Sequence, residues 1–170
     1  ISCTDDLEKD FDWCDVLVIG PGIGMTVKAA DKVQFFLKKA KQEKKPVVLD
    51  ADGLNLLAEN PKWKNYLDSH VILTPHMGEM SRLTGKSIRE LKSDRAGAAR
   101  ALAAETGAVC VLKDACTVTA APDGRAWISL SGNAGMATAG SGDVLSGVLA
   151  GIQADLSKSA DSLLSSLTQY

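Results

Sequence analysis

Four short, uninterrupted runs of Val, Ile and Leu are the feature that most restricts how this chain can fold. Each run lacks the polar alternation of a half-exposed strand, so each is predicted to be a strand of a parallel sheet covered on both faces. The predicted strands are Asp15–Gly20, Pro46–Asp50, His70–Thr74 and Ala108–Lys113. Segments of helical periodicity separate the runs, as right-handed crossovers between parallel strands require.

Helix and turn signals occupy the intervals between these runs. In residues 26–45, five apolar residues recur at helical spacing and are predicted to face the core. They are Val27, Ala30, Val33, Leu37 and Ala40. Ser87–Glu90 matches a capping box, and Gly107 suits the position just after a helix. Pro122–Gly124, between two strand-like segments, predicts a hairpin, and helices are predicted over Val144–Ala154 and within residues 159–170.

Together these patterns predict an α/β fold, with a mainly parallel sheet flanked by helices and a β-hairpin before a glycine-rich helix. A length of 170 residues fits one domain spanning 1–170. The net charge of -2 argues against a nucleic-acid partner. No run of about 18 apolar residues occurs, which argues against a membrane partner. The beginning of the sequence lacks the pattern of a signal peptide.

Neither the cysteines nor the number of histidines indicates a zinc site. None of the four cysteines forms a C-x-x-C pair, and there are only two histidines, so a zinc site is not predicted. Cys110 is interpreted as a small apolar residue of a strand, and the other cysteines as incidental thiols. Such usage is typical of a reducing cytoplasm.

Four unusual segments follow the four predicted strands. They are Gly20–Gly24, Asp50–Asn55, Thr74–Glu79 and Lys113–Thr117. Because ligands of open parallel sheets bind beyond the carboxyl ends of the strands, we expect these segments to meet at one rim and to form the binding site.

Several side chains in these segments have two interpretations each. Asp52 is interpreted as the N-cap of a helix, whereas Asp50 is equally consistent with a structural and a ligand-binding role. His76 is either a surface imidazole beside a helix start or a ligand contact. Lys113 is either a strand-end lysine that reaches water or a contact to nucleotide phosphates.

The stretch Asn133–Ile152 carries a single charge, Asp143, where glycines precede an apolar helix. A helix N-terminus offers unpaired backbone N–H groups to an anion. A carboxylate at this position repels a phosphate, so phosphate binding alone would disfavour Asp143. A base beside those donors can take the proton from a hydroxyl that attacks a phosphoryl group. If Asp143 is merely structural, its interaction with the helix dipole would stabilise the helix by about 0.3–1 kcal/mol.

Five motifs in unbroken order resemble the ADP/ATP-dependent NAD(P)H-hydrate dehydratases, a branch of the ribokinase-like superfamily. They are GPGIG, VVLDADGLNLLA, ILTPHMGEMSRLTG, VLKDACTV and GNAGMATAGSGDVLSGVLAGI. GSGD alone is typical of any ribokinase-like phosphoryl-transfer enzyme, whereas TPHMGE and GNAGMATAGSGD favour the hydrate dehydratases. The resemblance implies a ribokinase-like fold. It also implies that this chain lacks N-terminal and C-terminal parts of the family domain.

The resemblance implies a metabolite-repair lyase acting on NADH or NADPH hydrated at C6 of the nicotinamide. Its hydroxyl would be phosphorylated by ADP or ATP, with Mg²⁺ accompanying the nucleotide, and phosphate would then leave. Family members often assemble into oligomers, so the resemblance is compatible with a homo-oligomer, while the cysteine usage described above indicates the cytoplasm. Two alternatives are a ribokinase-like kinase of a vitamin precursor or sugar, and a nucleotide-binding fragment without turnover.

The resemblance also implies roles for individual residues, while no metal ligand is assigned. Asp143 corresponds to the catalytic base, which also contacts the substrate, and Gly24 and His76 correspond to the other substrate contacts. The positions matching the nucleotide site are Lys113, Asp114, Ala115, Cys116, Thr117, Gly140, Ser141 and Gly142. Asp114, Ala139 and Ser141 depart from the family's usual Gly, Gly and Thr.

Overall fold

The computed structural model describes residues 3–130 and 140–156. The α-helices in these ranges are α1 Cys3–Trp13, α2 Val27–Glu43, α3 Ala51–Glu59, α4 Met77–Thr84, α5 Ile88–Ser93, α6 Arg95–Thr106 and α7 Ser141–Leu156. The strands are β1 Leu17–Ile19, β2 Val47–Leu49, β3 Val71–Leu73, β4 Val109–Leu112, β5 Val118–Ala120 and β6 Ala126–Ile128. A 3-10 helix, Pro61–Tyr66, connects α3 to β3.

The strands form one sheet in the order β1-β2-β3-β4-β5-β6. Strands β1 to β4 run parallel, in register through pairs such as Val18 with Val48 and Val48 with Ile72. Strands β5 and β6 are antiparallel to their neighbours and form the hairpin around Pro122–Gly124. The predicted parallel strands and the hairpin are therefore confirmed.

Successive residues of the parallel strands point into two apolar layers, because side chains alternate across a sheet. In β2, Val47 and Leu49 belong to the larger layer, which includes buried residues of α2 to α6. Val48 belongs to the smaller layer, which Leu149 of α7 shares. Burial on both faces explains why β2, β3 and β4 lack polar alternation. The prediction is wrong for β1 at the end of the sheet, where Val18 is 43% exposed.

The helix ends follow their local sequence signals. Thr26 caps α2 by accepting a hydrogen bond from Ala29 N at 3.2 Å. The predicted capping box at Ser87 and the predicted Gly107 terminus are both confirmed. The predicted core face of α2 needs one correction. Val27 is 78% exposed, because it is the first helical residue, and Ala29 is buried instead.

The glycine-rich helix α7 begins at Ser141, three residues before the predicted start, so that Asp143 lies in its first turn. The helix predicted within residues 159–170 lies outside the described residues. Across residues 3–130 and 140–156, no helix has the length and apolar character that crossing a bilayer requires.

Candidate active site

The carboxyl ends of β1 to β4 meet at one rim, as the sequence predicted. Lys113 N donates to Pro75 O at 2.8 Å, which joins the ends of β4 and β3. Thr74 N donates to Leu49 O at 3.2 Å, and Asp50 N donates to Ile19 O at 3.0 Å. Backbone hydrogen bonds thus connect the segments that follow all four strands.

A buried carboxylate, Asp50, lies at the centre of this rim. Lys113 Nζ donates to its Oδ1 at 2.8 Å, and Ser146 Oγ donates to its Oδ2 at 2.7 Å. Burial alone would raise the pKa of Asp50. The hydrogen bonds from Lys113 and Ser146, with the charge of Lys113, outweigh that effect and hold the pKa below its ordinary value. Asp50 is therefore an ionised partner of Lys113.

This ion pair rules out the interpretation of Lys113 as a lysine that only reaches water, and it gives Asp50 a structural role. Lys113 does not simply reach water, because its side chain is 23% exposed and paired with a carboxylate. Asp50, which the sequence left open, has a structural role whatever else it contacts.

The first turn of α7 lies over the ion pair. A Cβ placed on Gly142 would lie 3.8 Å from both Asp50 Oδ2 and Lys113 Nζ. Ser146, one turn later, is fully buried. Asp143 stands between these two anchored residues and is exposed. The helix therefore carries the exposed carboxylate of Asp143 in the turn that lies over the rim.

The start of α7 also supplies hydrogen-bond donors. The first hydrogen bond of the helix runs from Val144 N to Gly140 O at 3.1 Å. The backbone N–H groups of Ser141, Gly142 and Asp143 consequently have no partner within the helix. Gly140 has a φ of 85°, a left-handed conformation that suits glycine. Unpaired donors at a helix N-terminus favour an anion.

His76 caps helix α4 at the same rim. Its Nδ1 accepts hydrogen bonds from Gly78 N at 2.9 Å and Glu79 N at 3.3 Å. In return, Glu79 Oε2 accepts from His76 N at 2.8 Å, which completes a capping box. The imidazole is therefore fixed by the helix start, yet 54% of its side chain stays exposed. Burial raises the pKa of Glu79, against the opposing effect of the hydrogen bond from His76.

The loop Gly20–Gly24 packs against the start of α3. Gly20 must be glycine, since its φ is 127° and a Cβ there would lie 1.8 Å from Asp50 O. Gly24 N donates to Asp52 Oδ2 at 3.0 Å. Asp52 is thus not the N-cap of α3, which was the predicted role. Asp50 holds that position and makes no side-chain cap, and Asp52 instead ties the loop to the helix.

The segment after β4 continues along the rim. Asp114 accepts a hydrogen bond from Arg95 of α6 at 3.0 Å. Burial acts to raise the pKa of Asp114, but the Ala115 N–H and Arg95 outweigh it and lower this pKa. Ala115 is exposed, and Cys116 and Thr117 are half-buried. The extra negative charge of Asp114 is therefore compensated within the protein.

Sequence reasoning missed Ser146 and Arg95, both of which position rim residues. Ser146 carried a weak signal, because a lone polar residue on the buried face of an apolar helix needs a partner. Arg95 carried none, since surface arginines are common. Ala139 and the rest of residues 131–139 lie outside the described residues. Within the described ranges, no three His, Cys, Asp or Glu side chains gather as a metal site.

Comparison with known proteins shows a consistent family. A family model described as NAD(P)H-hydrate dehydratase matches residues 2–167. A bifunctional NAD(P)H-hydrate repair enzyme of Thermofilum pendens is 46% identical over 138 residues, which cover 81% of this chain and 26% of that protein. An ADP-dependent (S)-NAD(P)H-hydrate dehydratase of Neisseria meningitidis is 39% identical over 156 residues, 91% of this chain and 52% of that protein.

Solved structures show the same fold. A ribokinase-like superfamily protein of Enterococcus faecalis matches with a TM-score of 0.81 and 26% identity, over 97% of this chain and 56% of that one. An ADP/ATP-dependent NAD(P)H-hydrate dehydratase of Bacillus subtilis, co-crystallised with ATP/Mg²⁺, matches with a TM-score of 0.71 and 32% identity, over 94% and 56%. The ribokinase-like fold is thereby confirmed. This chain spans only part of each of these relatives.

Proposed function

The chain belongs to the NAD(P)H-hydrate dehydratase family, and we propose that it acts in the nucleotide-dependent dehydration of hydrated NADH or NADPH. One observation carries the proposal: the first turn of α7 lies over the Asp50–Lys113 ion pair and exposes Asp143 beside three backbone N–H donors. A carboxylate and anion donors within one turn suit phosphoryl transfer to a hydroxyl.

The proposed reaction has two steps. Asp143 takes the proton of the C6 hydroxyl as its oxygen attacks the terminal phosphorus of ADP or ATP, which breaks the bond to the leaving AMP or ADP. The C6–O bond then breaks with the electron pair leaving on phosphate, assisted by the ring nitrogen, and loss of a proton from C5 restores the C5–C6 double bond. Phosphorylation is needed because hydroxide is a poor leaving group.

The proposed site divides between two ligands. The backbone of Gly140, Ser141 and Gly142 would hold the transferring phosphoryl group, and the Lys113–Thr117 segment would line the nucleotide. Gly24 and His76 would contact the hydrated dinucleotide. Because Gly24 N already bonds Asp52, the contact at Gly24 would come from its Cα or carbonyl.

Mg²⁺ fits this site as a companion of the nucleotide. The Bacillus subtilis dehydratase structure was co-crystallised with ATP/Mg²⁺, and a nucleotide-bound Mg²⁺ is held mainly by phosphate oxygens and water. The cation would neutralise phosphate charge during transfer.

The test is turnover of hydrated NADH with ADP or ATP, followed by recovery of the near-ultraviolet absorbance of the dihydronicotinamide. The proposal predicts recovery for the unaltered chain and none for Asp143→Asn, with ADP affinity retained. Turnover by Asp143→Asn would refute the base assignment. No recovery, with phosphorylation of a vitamin precursor, would favour a kinase. No recovery, with nucleotide still bound, would favour a binding fragment.

We also propose a cytoplasmic location and self-association of the chain. The cysteines Cys14, Cys110 and Cys116 are free, which is typical of a reducing cytoplasm. Val144 and Val148 of α7 are exposed, which supports association of copies of the chain. Sedimentation velocity tests that association.

A further inference from the structure

Arg82 of α4 returns toward the beginning of its own helix. A Cβ placed on Gly78 would lie 2.8 Å from His76 Cε1 and 4.0 Å from an Nη atom of Arg82. The guanidinium therefore lies beside the exposed imidazole that is assigned to the substrate. We infer that Arg82 binds a phosphate group of the hydrated dinucleotide, an inference that rests on the proposed function.

A chain of hydrogen bonds holds the guanidinium in place. Arg82 Nη1 donates to Asn55 Oδ1 at 3.1 Å, and Asn55 Nδ2 donates to Asp52 Oδ1 at 3.4 Å. The other oxygen of Asp52 accepts from Gly24 N at 3.0 Å. The network thus reaches both residues assigned to the substrate. Asp52 accepts a hydrogen bond from Gly24 N, and Arg82 lies close to the His76 ring.

A cavity of about 510 Å³ opens at this network, lined by Met25, Asn55, Ala58, Glu59 and Arg82. It is an open cleft at the surface and not an enclosed pocket. Met25 follows Gly24 directly, so the cavity begins where the proposed nicotinamide contacts end. A dinucleotide that places its hydrated ring at His76 has its remaining length to accommodate, and Arg82, which lines this cavity, approaches the helix start that His76 caps.

Two side chains of opposite charge line the cavity, Arg82 and Glu59, and Arg82 is the one nearer the rim. Glu59 lies one helical turn beyond Asn55, at the far end of α3 from the rim. Arg82 instead directs its charge toward Gly78, at the rim end of α4. A guanidinium has five N–H donors in a planar fork that matches phosphate oxygens, and Asn55 engages one Nη atom. The phosphates would therefore bind at the Arg82 end, away from Glu59.

The test compares Arg82→Gln with Arg89→Gln, an exposed arginine of α5 outside the five lining residues. Fluorescence titration measures the affinity for NADH, for reduced nicotinamide riboside, which lacks phosphate, and for ADP. Arg82→Gln should weaken NADH binding about tenfold, the scale of a charge-assisted hydrogen bond. It should leave riboside and ADP binding unchanged, and Arg89→Gln should change none of the three. The salt dependence of NADH binding should also become shallower in Arg82→Gln.

Equal NADH affinity in Arg82→Gln and the unaltered protein overturns the inference, and so does an equal loss of riboside binding. A loss confined to ADP would assign Arg82 to the other nucleotide and overturn it as well. The binding assay requires no turnover. Absent dehydration with Arg82-dependent NADH binding would therefore refute the proposed activity while supporting the phosphate contact.

Discussion

The Asp50–Lys113 ion pair gives the most specific prediction about stability, because its two ends are buried to different degrees. The Asp50 side chain is 4% exposed and the Lys113 side chain 23%. Replacing Lys113 with Met leaves a buried carboxylate with Ser146 as its main remaining donor. Breaking a fully buried pair costs about 3–5 kcal/mol, and the retained Ser146 bond sets the expected loss near the lower end, about 3 kcal/mol.

Removing the carboxylate should cost less. In Asp50→Asn, the partly exposed ammonium of Lys113 can turn toward water, so we expect a loss of about 1–2 kcal/mol. The double variant Asp50→Asn/Lys113→Met buries neither charge, so its loss should be smaller than the sum of the two single losses by a coupling energy of about 2 kcal/mol. Urea denaturation at neutral pH measures all four free energies of unfolding.

The pH dependence provides an internal check. The pKa of Asp50 is lower in the folded protein than its ordinary value of 3.8. Its ionisation therefore stabilises the fold fully above pH 3.8, and this contribution is lost as the pH falls through the folded pKa. The stability difference between the unaltered protein and Asp50→Asn should be constant near neutrality and shrink in acid below 3.8. Equal losses for Lys113→Met and Asp50→Asn, or strictly additive losses in the double variant, would refute this reasoning.

Two further predictions concern the same rim. Ala51 has a φ of 48°, so Ala51→Gly should keep or raise the free energy of unfolding, by up to about 1 kcal/mol. The control Ala30→Gly, inside α2, should lower the free energy of unfolding by about 1 kcal/mol. Thermal unfolding measures both variants, and a loss at Ala51 comparable to that at Ala30 would show that Ala51 is not strained. Arg95→Met leaves the charge of Asp114 without its partner and should weaken ADP binding about threefold. Adding Asp114→Gly should restore the affinity. Calorimetric titration measures both, and an unchanged ADP affinity in Arg95→Met would show that this ion pair does not influence nucleotide binding.

The sheet was predictable because its signals are local. Val47–Leu49 and its counterparts are continuous apolar runs, and Pro122–Gly124 is a turn sequence that admits few alternatives. Helix positions were predicted less well where the first turn is involved. Val27 is apolar yet exposed because it lies directly after the capping residue Thr26. Helix α7 begins at Ser141, before its run of apolar residues starts.

The rim was predictable as a place and much less so as a set of contacts. The carboxyl ends of parallel strands must share an edge, so the meeting of Gly20, Asp50, His76 and Lys113 followed from topology. The pairing of Asp50 with Lys113 joins residues 63 positions apart, and no local pattern specifies it. The role of Asp52 was wrong for a related reason, since its partner, Gly24 N, belongs to another segment.

In the proposed mechanism, the first turn of α7 brings a base to the C6 hydroxyl and N–H donors to the phosphoryl group that this hydroxyl attacks. A crystal structure of the Asp143→Asn variant with ADP and hydrated NADH tests it most directly. We expect terminal phosphate oxygens within hydrogen-bond distance of the N–H groups of Gly142 and residue 143, with the C6 hydroxyl against the substituted side chain. Phosphates bound away from α7, or a C6 hydroxyl out of reach of position 143, would contradict it.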